Sequence, residues 1–460
     1  MLSRRHFLGA TSTAFAGLAL SGCASTVTSG AGGAAAGQSV HGYGPLVADP
    51  AGMLDLPQGF SYRTLSLLGE TMSDGYRVPD NADGMGCFAY DANRVLLVRN
   101  HELKAKQTGE GPFGVAGKSL PGVYDTLGDG SALPGGTTTL LYNLRDGRLE
   151  EHWLSLAGTI RNCAGGTTPW GSWLTCEEDL TRAGKDGIKR DHGWVFEVPA
   201  RARGLVDPVP LKAMGRFNHE AAVVDPRTGI VYMTEDREDG LLYRFLPNAK
   251  GELAKGGKLQ ALALEDTGLA DTRNKKAVTI TLQRPLRTRW IDLDGIEAPD
   301  DDLRQRAAAQ GAAVFARGEG IHFGDGEFFF ACTSGGAAGF GQIFRYRPSR
   351  FEGQPQERGE PGTLDLFVES SGKAMLDYGD NLTVAPNGHL IVCEDQYTSV
   401  VDNRLRGVTP QGQVYAFARL RLQTELAGAC FSPDGSTLFV NMFSPAKTLA
   451  ITGPWRSFRA

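Results

Sequence analysis

The sequence predicts an all-β fold in which six similar sheets stand around an axis, a six-bladed β-propeller with long insertions between its strands. Six segments of the 460-residue chain share one pattern: a polar cluster, a short apolar run, a turn with Gly, Pro, Asp or Asn, and a second apolar run. The 61 glycines, with strands spaced by turn signals, favour an all-β chain. Few stretches have the period of a long helix.

The most informative segment is residues 161–179, RNCAGGTTPWGSWLTCEED. It reads as a β-hairpin that turns at Pro169–Gly171, between two short β-prone runs. The turn brings Arg161–Cys163 close to Cys176–Asp179, so we expect one thiol and three carboxylates to share one edge.

The other five segments repeat this arrangement. Their apolar runs are CFAYDANRVLLVR, AAVVDPRTGIVYMT, GIHFGDGEFFFACT, LTVAPNGHLIVC and CFSPDGSTLFV. Counting outward from each turn places His219 opposite Glu235 and Asp380 opposite Glu394. The polar ends of all six hairpins would therefore form a ring.

The N-terminus reads as an export signal. Ser-Arg-Arg-His-Phe-Leu at residues 3–8 and the apolar run after it are typical of a twin-arginine signal, and Leu20–Cys23 resembles a bacterial lipobox with Cys23 as the lipidated residue. Ordinary signal peptidase cleavage is the alternative. We expect residues 1–23 to be the lipoprotein signal, residues 24–42 a flexible Gly/Ala/Ser linker, and residues 43–460 a single propeller domain. The twin-arginine machinery would export the protein. Its lipid would then anchor it to a membrane, either in the periplasm or at the cell surface.

Long connections separate the hairpins. We expect them at residues 103–135, 180–215 and 248–316. Within the last, PDDDLRQRAAAQGAAVFAR predicts a short helix near 301–313, because its acidic start and Ala-rich body favour one.

Charge and apolar length exclude two classes of partner. The net charge is −5 and the sequence has no basic run, so it lacks the cluster of Lys and Arg that nucleic-acid binding requires. After the signal, no run of about 18 apolar residues could span a membrane. We expect a monomer whose contact with the membrane is the lipid anchor alone.

Acids gathered in a ring predict a metal site. Hard cations such as Ca²⁺ take six to eight oxygen ligands, whereas a thiolate favours a transition metal, so Cys163 among carboxylates suggests a mixed site. The alternative for each acidic pair is a solvated turn. Of the six cysteines after Cys23, the other five read as small buried hydrophobes in strands. The candidate metal ligands are Cys163, Glu102, Glu177, Glu178, Glu220, Glu235, Asp236, Glu319, Asp380, Glu394 and Asp395.

Two arginines stand beside these ligands. Arg317 lies two residues from Glu319 and Arg161 two from Cys163, so on a strand each pair points the same way. A guanidinium offers paired donors that match phosphate oxygens, which makes both arginines candidate substrate-binding groups. For Arg317 the alternative is an ion pair with Glu319 at the surface. In His101-Glu102 and His219-Glu220, alternation lets only one side chain face the ring, and we favour the Glu.

The chain resembles the PhoX-type bacterial alkaline phosphatase family, as a short member. The resemblance covers residues 45–445 and rests on RNCAGGTTPWGSWLTCEED, GRFNHEAAVVDP, TEDREDGLLYRFLP, ARGEGIHF, NLTVAPNGHLIVCED and FSPDGSTLFVN. Where the family often continues with Gln-His-Pro-Gly after Asn441, this chain reads MFSPAKT, so a second cationic clamp is not placed and Lys447 is only a weak candidate for it.

The resemblance implies a six-bladed propeller with a central Fe³⁺ and Ca²⁺ cluster that hydrolyses small phosphomonoesters through a metal-bound oxygen. It implies that Cys163 and Glu220 bind iron, Arg317 grips phosphate, and Glu319 binds metal and acts in catalysis. The regions of Glu177, Glu235 and Glu394 would supply calcium ligands. Two alternatives stay open: a non-catalytic calcium-binding propeller lipoprotein, and a calcium-dependent lactonase or phosphotriesterase.

Overall fold

The structure is a computed structural model that describes residues 42–114 and 121–458. The predicted signal at residues 1–23 and the predicted linker, apart from its last residue, lie outside the described residues. Among the described residues, no helix has the length and apolar character needed to cross a membrane.

The described chain is almost entirely β-structure. Its first strands are β1 (Leu46–Val47), β2 (Leu54–Pro57), β3 (Ser61–Leu67), β4 (Ala82–Ala89), β5 (Arg94–His101), β6 (Gly135–Asn143), β7 (Arg148–Thr159), β8 (Asn162–Thr167), β9 (Ser172–Glu177) and β10 (Val195–Pro199). The middle strands are β11 (His219–Val224), β12 (Val231–Glu235), β13 (Leu242–Pro247), β14 (Gly257–Leu264), β15 (Leu286–Asp292), β16 (Gly318–Gly324), β17 (Glu327–Cys332), β18 (Gln342–Arg347) and β19 (Thr363–Glu369). The last are β20 (Gly379–Val384), β21 (Leu390–Glu394), β22 (Arg404–Val408), β23 (Val414–Leu420), β24 (Leu426–Phe431), β25 (Thr437–Met442) and β26 (Lys447–Thr452).

Helices are few and short. The described residues contain one α-helix, α1 (Leu303–Ala309), and 3₁₀ turns at Thr108–Glu110, Lys212–Met214, Leu253–Lys255, Thr267–Leu269 and Pro355–Arg358. The helix lies within the predicted stretch, and it ends early because Gly311 adopts a φ of +91°, a conformation that terminates helices.

All six predicted hairpins form, as the antiparallel pairs β4–β5, β8–β9, β11–β12, β16–β17, β20–β21 and β24–β25. His219 lies opposite Glu235 as predicted. The other predicted pair is shifted by one residue, since Glu394 lies opposite Gly379 and not Asp380. A β-bulge directly after Gly379 displaces the count.

The strands form five hydrogen-bonded sheets in the described chain, and not the six separate sheets expected. Their orders are β1-β2-β23-β22-β21-β20, β10-β9-β8, β11-β12-β13-β14-β15-β19-β18-β17-β16, β24-β25-β26-β3 and β4-β5-β6-β7. The nine-stranded sheet arises because β15 pairs with β19, through Leu286 opposite Leu364. β3 pairs with β26, so an N-terminal strand completes the last sheet.

The first strands of the six hairpins lie side by side around a central axis. β4, β8, β11, β16, β20 and β24 contact one another in that order, and β24 contacts β4. The fold is therefore propeller-like and all-β, as predicted. The inner strands approach closely: a Cβ on Gly166 would lie 1.9 Å from the Ala222 carbonyl oxygen. Only glycine allows this contact.

Two of the predicted connections contain sheet strands. β10 lies within residues 180–215, and β14 and β15 lie within residues 248–316. These short runs add outer strands to the neighbouring hairpins, so they are part of the sheets and not surface insertions. Leu262 and Leu264 of β14, for example, are buried against Tyr232.

The cysteines after Cys23 are free thiols. Five of the six are buried and Cys87 is partly buried. The five other than Cys163 lie in strands that pack into the cores, as expected for small apolar residues.

Candidate metal centre

One backbone hydrogen bond recurs at the same end of all six hairpins. The N–H of the residue after each second strand donates to the carbonyl of the residue before each first strand. The donor–acceptor pairs are Glu102–Asn81, Glu178–Arg161, Asp236–Asn218, Thr333–Arg317, Asp395–Tyr378 and Phe443–Glu425. Six equivalent positions therefore surround the axis at this end.

A β-bulge follows immediately in every hairpin. The register shifts after Ala82, Asn162, His219, Gly318, Gly379 and Ala427. Bulges bend a strand and re-aim its side chains, and they are common beside active sites. The residue two positions after each acceptor carbonyl is Asp83, Cys163, Glu220, Glu319, Asp380 or Ala427. Five of the six hairpins thus place a possible metal ligand at the same level.

Four overlapping groups of possible ligands form one continuous cluster. Within each group the ligand atoms lie within 4.8 Å of one another. The groups are Asp83–Glu102–Cys163, Cys163–Glu178–Glu220, Glu220–Glu319–Asp380 and Asp380–Asp395–Glu425. We call these nine residues the central cluster.

Cys163 lies between two carboxylates of the central cluster. Its Sγ is 3.2 Å from Glu220 Oε1 and 3.7 Å from Asp83 Oδ2. Burial and the neighbouring carboxylates raise the pKa of the Cys163 thiol well above its ordinary value. A thiolate at this position therefore requires positive charge beside it.

Burial and neighbouring acids also disfavour the ionised form of the carboxylates in the central cluster. Burial, together with the other acids, raises the pKa values of Asp83, Glu220 and Glu319 well above the ordinary range. Asp83 Oδ1 and Glu220 Oε2 are buried without a hydrogen-bond partner among the described residues. Buried acceptors of this kind are costly unless a cation or donor satisfies them, so this donor set fits bound metal ions.

Arg161 lies against two members of the central cluster. Its Nε donates to Glu102 Oε1 at 2.8 Å, its Nη1 donates to the Glu178 carbonyl at 2.7 Å, and its Nη2 pairs with the Glu178 carboxylate. The backbone of Arg161 has a φ of +47°, a strained conformation for a non-glycine residue.

Arg317 occupies the equivalent position of its own hairpin, with a φ of +55°. Its Nε donates to Asp236 Oδ1 at 2.7 Å, its Nη2 donates to Glu319 Oε1 at 2.9 Å, and its Nη1 donates to the Tyr397 hydroxyl at 2.9 Å. The predicted proximity of Arg317 and Glu319 is thus present, and the arginine is largely buried and not a surface residue.

The structure does not bring Glu177, Glu235 and Glu394 to the central cluster, so their placement in the predicted ring is wrong. Strand alternation turns each of them away from the acid that follows it, namely Glu178, Asp236 and Asp395. Each meets protein groups instead: Glu177 contacts His192 Nδ1 at 2.6 Å, Glu235 accepts from the Tyr243 hydroxyl at 2.8 Å, and Glu394 accepts from Arg406 Nε at 2.7 Å.

The two histidines also point away from the central cluster. His219 Nε2 lies 3.0 Å from the Gly215 carbonyl, and its ring packs on Phe217 with 3.6 Å between centroids. His101 Nδ1 lies 2.9 Å from the Asp80 carbonyl. The neighbouring Glu220 and Glu102 are the residues that face the centre.

Sequence reasoning missed Asp83, Glu425 and Tyr397. Asp83 carried a signal, since it stands directly before the glycine that opens the first repeat. Glu425 carried one also, because it precedes its apolar run as Arg161 and Arg317 precede theirs. Tyr397 lies in the irregular segment after β21, where no pattern predicts its contact with Arg317.

An axial cavity of about 280 Å³ lies directly beneath the central cluster. Small residues that follow the cluster positions line it, among them Gly84, Ala164, Ala221, Gly320 and Gly428. They allow the six inner strands to come together and leave the acids as the polar end of the axis.

Comparison with known proteins finds one family. A family model described as "Alkaline phosphatase PhoX" matches residues 41–146 and 134–446. No curated protein sequence matches the chain.

Comparison with solved structures also finds similar chains. Pseudomonas fluorescens PhoX in complex with vanadate, a transition state analogue, is 20% identical, with a TM-score of 0.67, and the match covers 90% of this chain and 98% of that chain. The gluconolactonase XC5397 from Xanthomonas campestris is 14% identical, with a TM-score of 0.40 and coverage of 89% and 98%. A luciferin-regenerating enzyme is 8% identical, with a TM-score of 0.40 and coverage of 87% and 97%.

Proposed function

Because the chain belongs to the alkaline phosphatase PhoX family and is therefore a phosphatase, we propose that it hydrolyses small phosphomonoesters at the central cluster. The observation that carries this proposal is the position of Arg161 and Arg317. Both guanidinium groups are largely buried and touch the central cluster from equivalent hairpin positions. A site that combines cations for phosphate with acids for metal ions suits a phosphate ester.

The proposed metals are Ca²⁺ and Fe³⁺. Cys163, with Glu220 and Asp83 beside its sulfur, would hold the iron, since thiolate favours a transition metal. The all-oxygen groups, Glu220–Glu319–Asp380 and Asp380–Asp395–Glu425, would hold calcium. When bound, such cations polarise phosphoryl oxygens and supply the nucleophile.

Arg317 is the proposed phosphate-binding and catalytic residue. Its contacts with Asp236, Glu319 and Tyr397 fix the guanidinium plane, so its donors are oriented before a substrate arrives. Metal ions that bind Glu319 would weaken the ion pair and free donors for phosphoryl oxygens. Positive charge held there stabilises the charge that develops during transfer. Arg161 would bind the ester from the other side of the cluster.

Vanadate offers a direct comparison. Pseudomonas fluorescens PhoX has been solved with this transition state analogue. If the proposal is right, vanadate competes with the ester in this chain, and Arg317→Met weakens its binding more than it weakens substrate binding, since analogues sense transition-state contacts.

The test is hydrolysis of p-nitrophenyl phosphate by natively exported protein, before and after chelation. We expect activity that chelator abolishes and calcium restores, and a loss of several orders of magnitude in Glu319→Gln. Glu360→Gln, an exposed residue paired with Arg350, is the matched control and should keep full activity. A protein with its metals bound that hydrolyses no phosphate ester would point to the non-catalytic calcium propeller; one that prefers lactones or phosphotriesters would point to the lactonase alternative.

We further propose that the domain has six blades. We count the nine-stranded sheet as two blades joined by β15 and β19, which makes six blades, and the six equivalent backbone hydrogen bonds support this count.

We also propose that Cys23 carries a lipid after twin-arginine export. Cys23→Ser should move the protein from the membrane fraction to the soluble periplasm, and Arg4→Lys with Arg5→Lys should stop export.

A further inference from the structure

A buried arginine lies where the first and last sheets meet. Arg99 of β5 is fully buried, on the face of the first sheet that packs against β25 and β26. We call this contact between the sheet β4–β7 and the sheet β24-β25-β26-β3 the closure interface. Leu97, Leu140, Phe439 and Ala450 are among its core residues.

The hydrogen-bond partners of Arg99 are neutral, and the carboxylate of Glu70, an exposed residue, acts on its charge from further away. Its Nε donates to Thr138 Oγ1 at 3.2 Å, and its Nη1 donates to Thr448 Oγ1 at 2.7 Å. In the described part of the chain, no carboxylate lies within 4.0 Å of the guanidinium, in contrast to the buried Arg244, which pairs with Glu352 and Glu357.

The two threonine hydroxyls cannot offset this charge. Thr448 Oγ1 donates its hydrogen to Asn441 Oδ1 at 2.7 Å. Thr138 Oγ1 is 2.9 Å from His101 Nε2, and since His101 Nδ1 faces the Asp80 carbonyl, Nε2 is the acceptor of the Thr138 hydrogen. Both hydroxyls act as neutral dipoles that point their oxygens at Arg99.

Several polar atoms near Arg99 are left without partners. Within residues 42–114 and 121–458, Arg99 Nη2, Ser66 Oγ and His152 Nδ1 are buried with no hydrogen bond. Ser66 lies opposite Thr448 in the β3–β26 pair, and His152 lies opposite Leu140 in the β6–β7 pair, so both strands direct them to the closure interface. Each of these three atoms is able to donate a hydrogen bond.

From these contacts we infer that the closure interface holds a small inorganic anion, of the halide class, bound by Arg99 Nη2 and Ser66 Oγ with His152 beside them. An arginine stays charged in proteins, and an unpaired buried charge is costly unless an opposite charge meets it. Burial lowers the pKa of Arg99 to about 9, which still leaves it charged at neutral pH. A monovalent anion fits because burial lowers the pKa of His152, so that Arg99 supplies the positive charge.

The anion would also connect the two ends of the propeller domain to the central cluster. Arg99 and Thr448 are 349 residues apart in sequence, and Thr448 bonds Asn441, whose Nδ2 donates to the Asp83 carbonyl at 2.5 Å. Occupancy should therefore stabilise the closed ring, because an ion that binds only the folded state raises its stability.

The experiment is thermal unfolding while sodium chloride or bromide replaces sodium gluconate at constant ionic strength, with free calcium fixed by calcium gluconate. We expect a saturable rise in Tm with either halide. Arg99→Met should abolish the rise. Arg94→Met should keep it, because Arg94 is partly exposed and paired with Asp91 and Glu150. Crystals grown in bromide should show an anomalous peak next to Arg99 Nη2.

Other outcomes would overturn the inference. A halide response equal in Arg99→Met and in the unmodified chain, or a bromide map with water alone at Arg99, would show that the arginine is buried without an anion. If Arg99→Met does not fold, Ser66→Ala provides the second variant, and an unchanged half-saturating concentration there would count against the site.

Discussion

Cys163 Sγ lies 3.2 Å from Glu220 Oε1, although the two residues are 57 positions apart and belong to different inner strands, β8 and β11. Bulges directly after Asn162 and His219 aim both side chains at the axis. A thiol and a carboxylate held this close inside a protein repel each other once ionised, so the arrangement is stable with a cation between or beside them.

Replacing the thiol should separate the two kinds of metal. In Cys163→Ser we expect iron to be lost and calcium retained, because a hydroxyl is a poor substitute for a soft thiolate while the all-oxygen groups are untouched. Activity should fall by at least about 100-fold. Elemental analysis of natively exported protein measures both metals. Cys176→Ala, a buried cysteine in the core that contains Leu174 and Val195, is the control and should keep iron. Iron retained in Cys163→Ser would contradict the assignment.

Replacing Arg317 by lysine should lower the phosphatase activity. Arg317→Lys keeps the charge but loses the planar pair of donors that contacts Asp236 and Glu319, so kcat/KM for p-nitrophenyl phosphate should fall by about 100-fold or more. The loss should appear in kcat as well as KM if the contact strengthens in the transition state. Arg350→Lys, exposed beside Glu360, should behave as the unmodified chain. A variant with normal kinetics would remove Arg317 from the proposed site.

The sequence predicts the six hairpins but not the β-bulges within them. Turn chemistry at Pro169–Gly171 and its counterparts places six pairs of strands correctly, because these residues adopt turn conformations locally. The bulges depend on how the inner strands pack, and a shift of one residue sends a side chain to the opposite face. That shift explains why Glu394 lies opposite Gly379 and not Asp380, and alternation explains why Glu177 and Glu178 lie on opposite faces.

Longer-range contacts could not be read from the chain either. The pairing of β15 with β19 joins strands about 80 residues apart and leaves no periodic signal. Tyr397 reaches Arg317 from an irregular segment. The sequence therefore predicts which residue types gather at the hairpin ends, whereas the partners of each side chain follow from tertiary packing.

Chelation should lower stability as well as activity. Without cations, the buried acids of the central cluster must take up protons or repel one another, as the raised pKa values of Asp83, Glu220 and Glu319 indicate. We expect Tm to fall when metal is removed at pH 8 and to fall less at pH 5, where protons replace part of the cation charge. Differential scanning calorimetry with and without chelator measures this, and addition of calcium should restore Tm. An equal fall at both pH values would mean that charge neutralisation is not the cause.

A buried ion pair outside the central cluster should set an alkaline limit on stability. His192 is buried between Glu177 at 2.6 Å and Asp125 at 3.3 Å. Burial alone would lower its pKa, but the charges and hydrogen bonds of Glu177 and Asp125 outweigh burial and raise the pKa to about 9. A raised pKa means that the folded state holds the proton more tightly than the unfolded chain. The stabilisation is therefore complete below about pH 6.5 and is lost as the pH rises through about 9.

The proton on His192 stabilises the folded state by about 3 kcal/mol, which follows from the difference between its pKa of about 9 and the ordinary value of 6.5. We expect the free energy of unfolding to decline between pH 7 and pH 10, and His192→Gln to flatten that decline while lowering stability at pH 7, since it leaves Glu177 and Asp125 without a cation. His389→Gln is the matched control, because His389 is buried beside Tyr415, has no carboxylate contact in the described part of the chain, and has a pKa that burial lowers. Urea unfolding across this pH range, with calcium held constant, measures both variants. A decline of the same slope in His192→Gln would assign the alkaline limit to other groups.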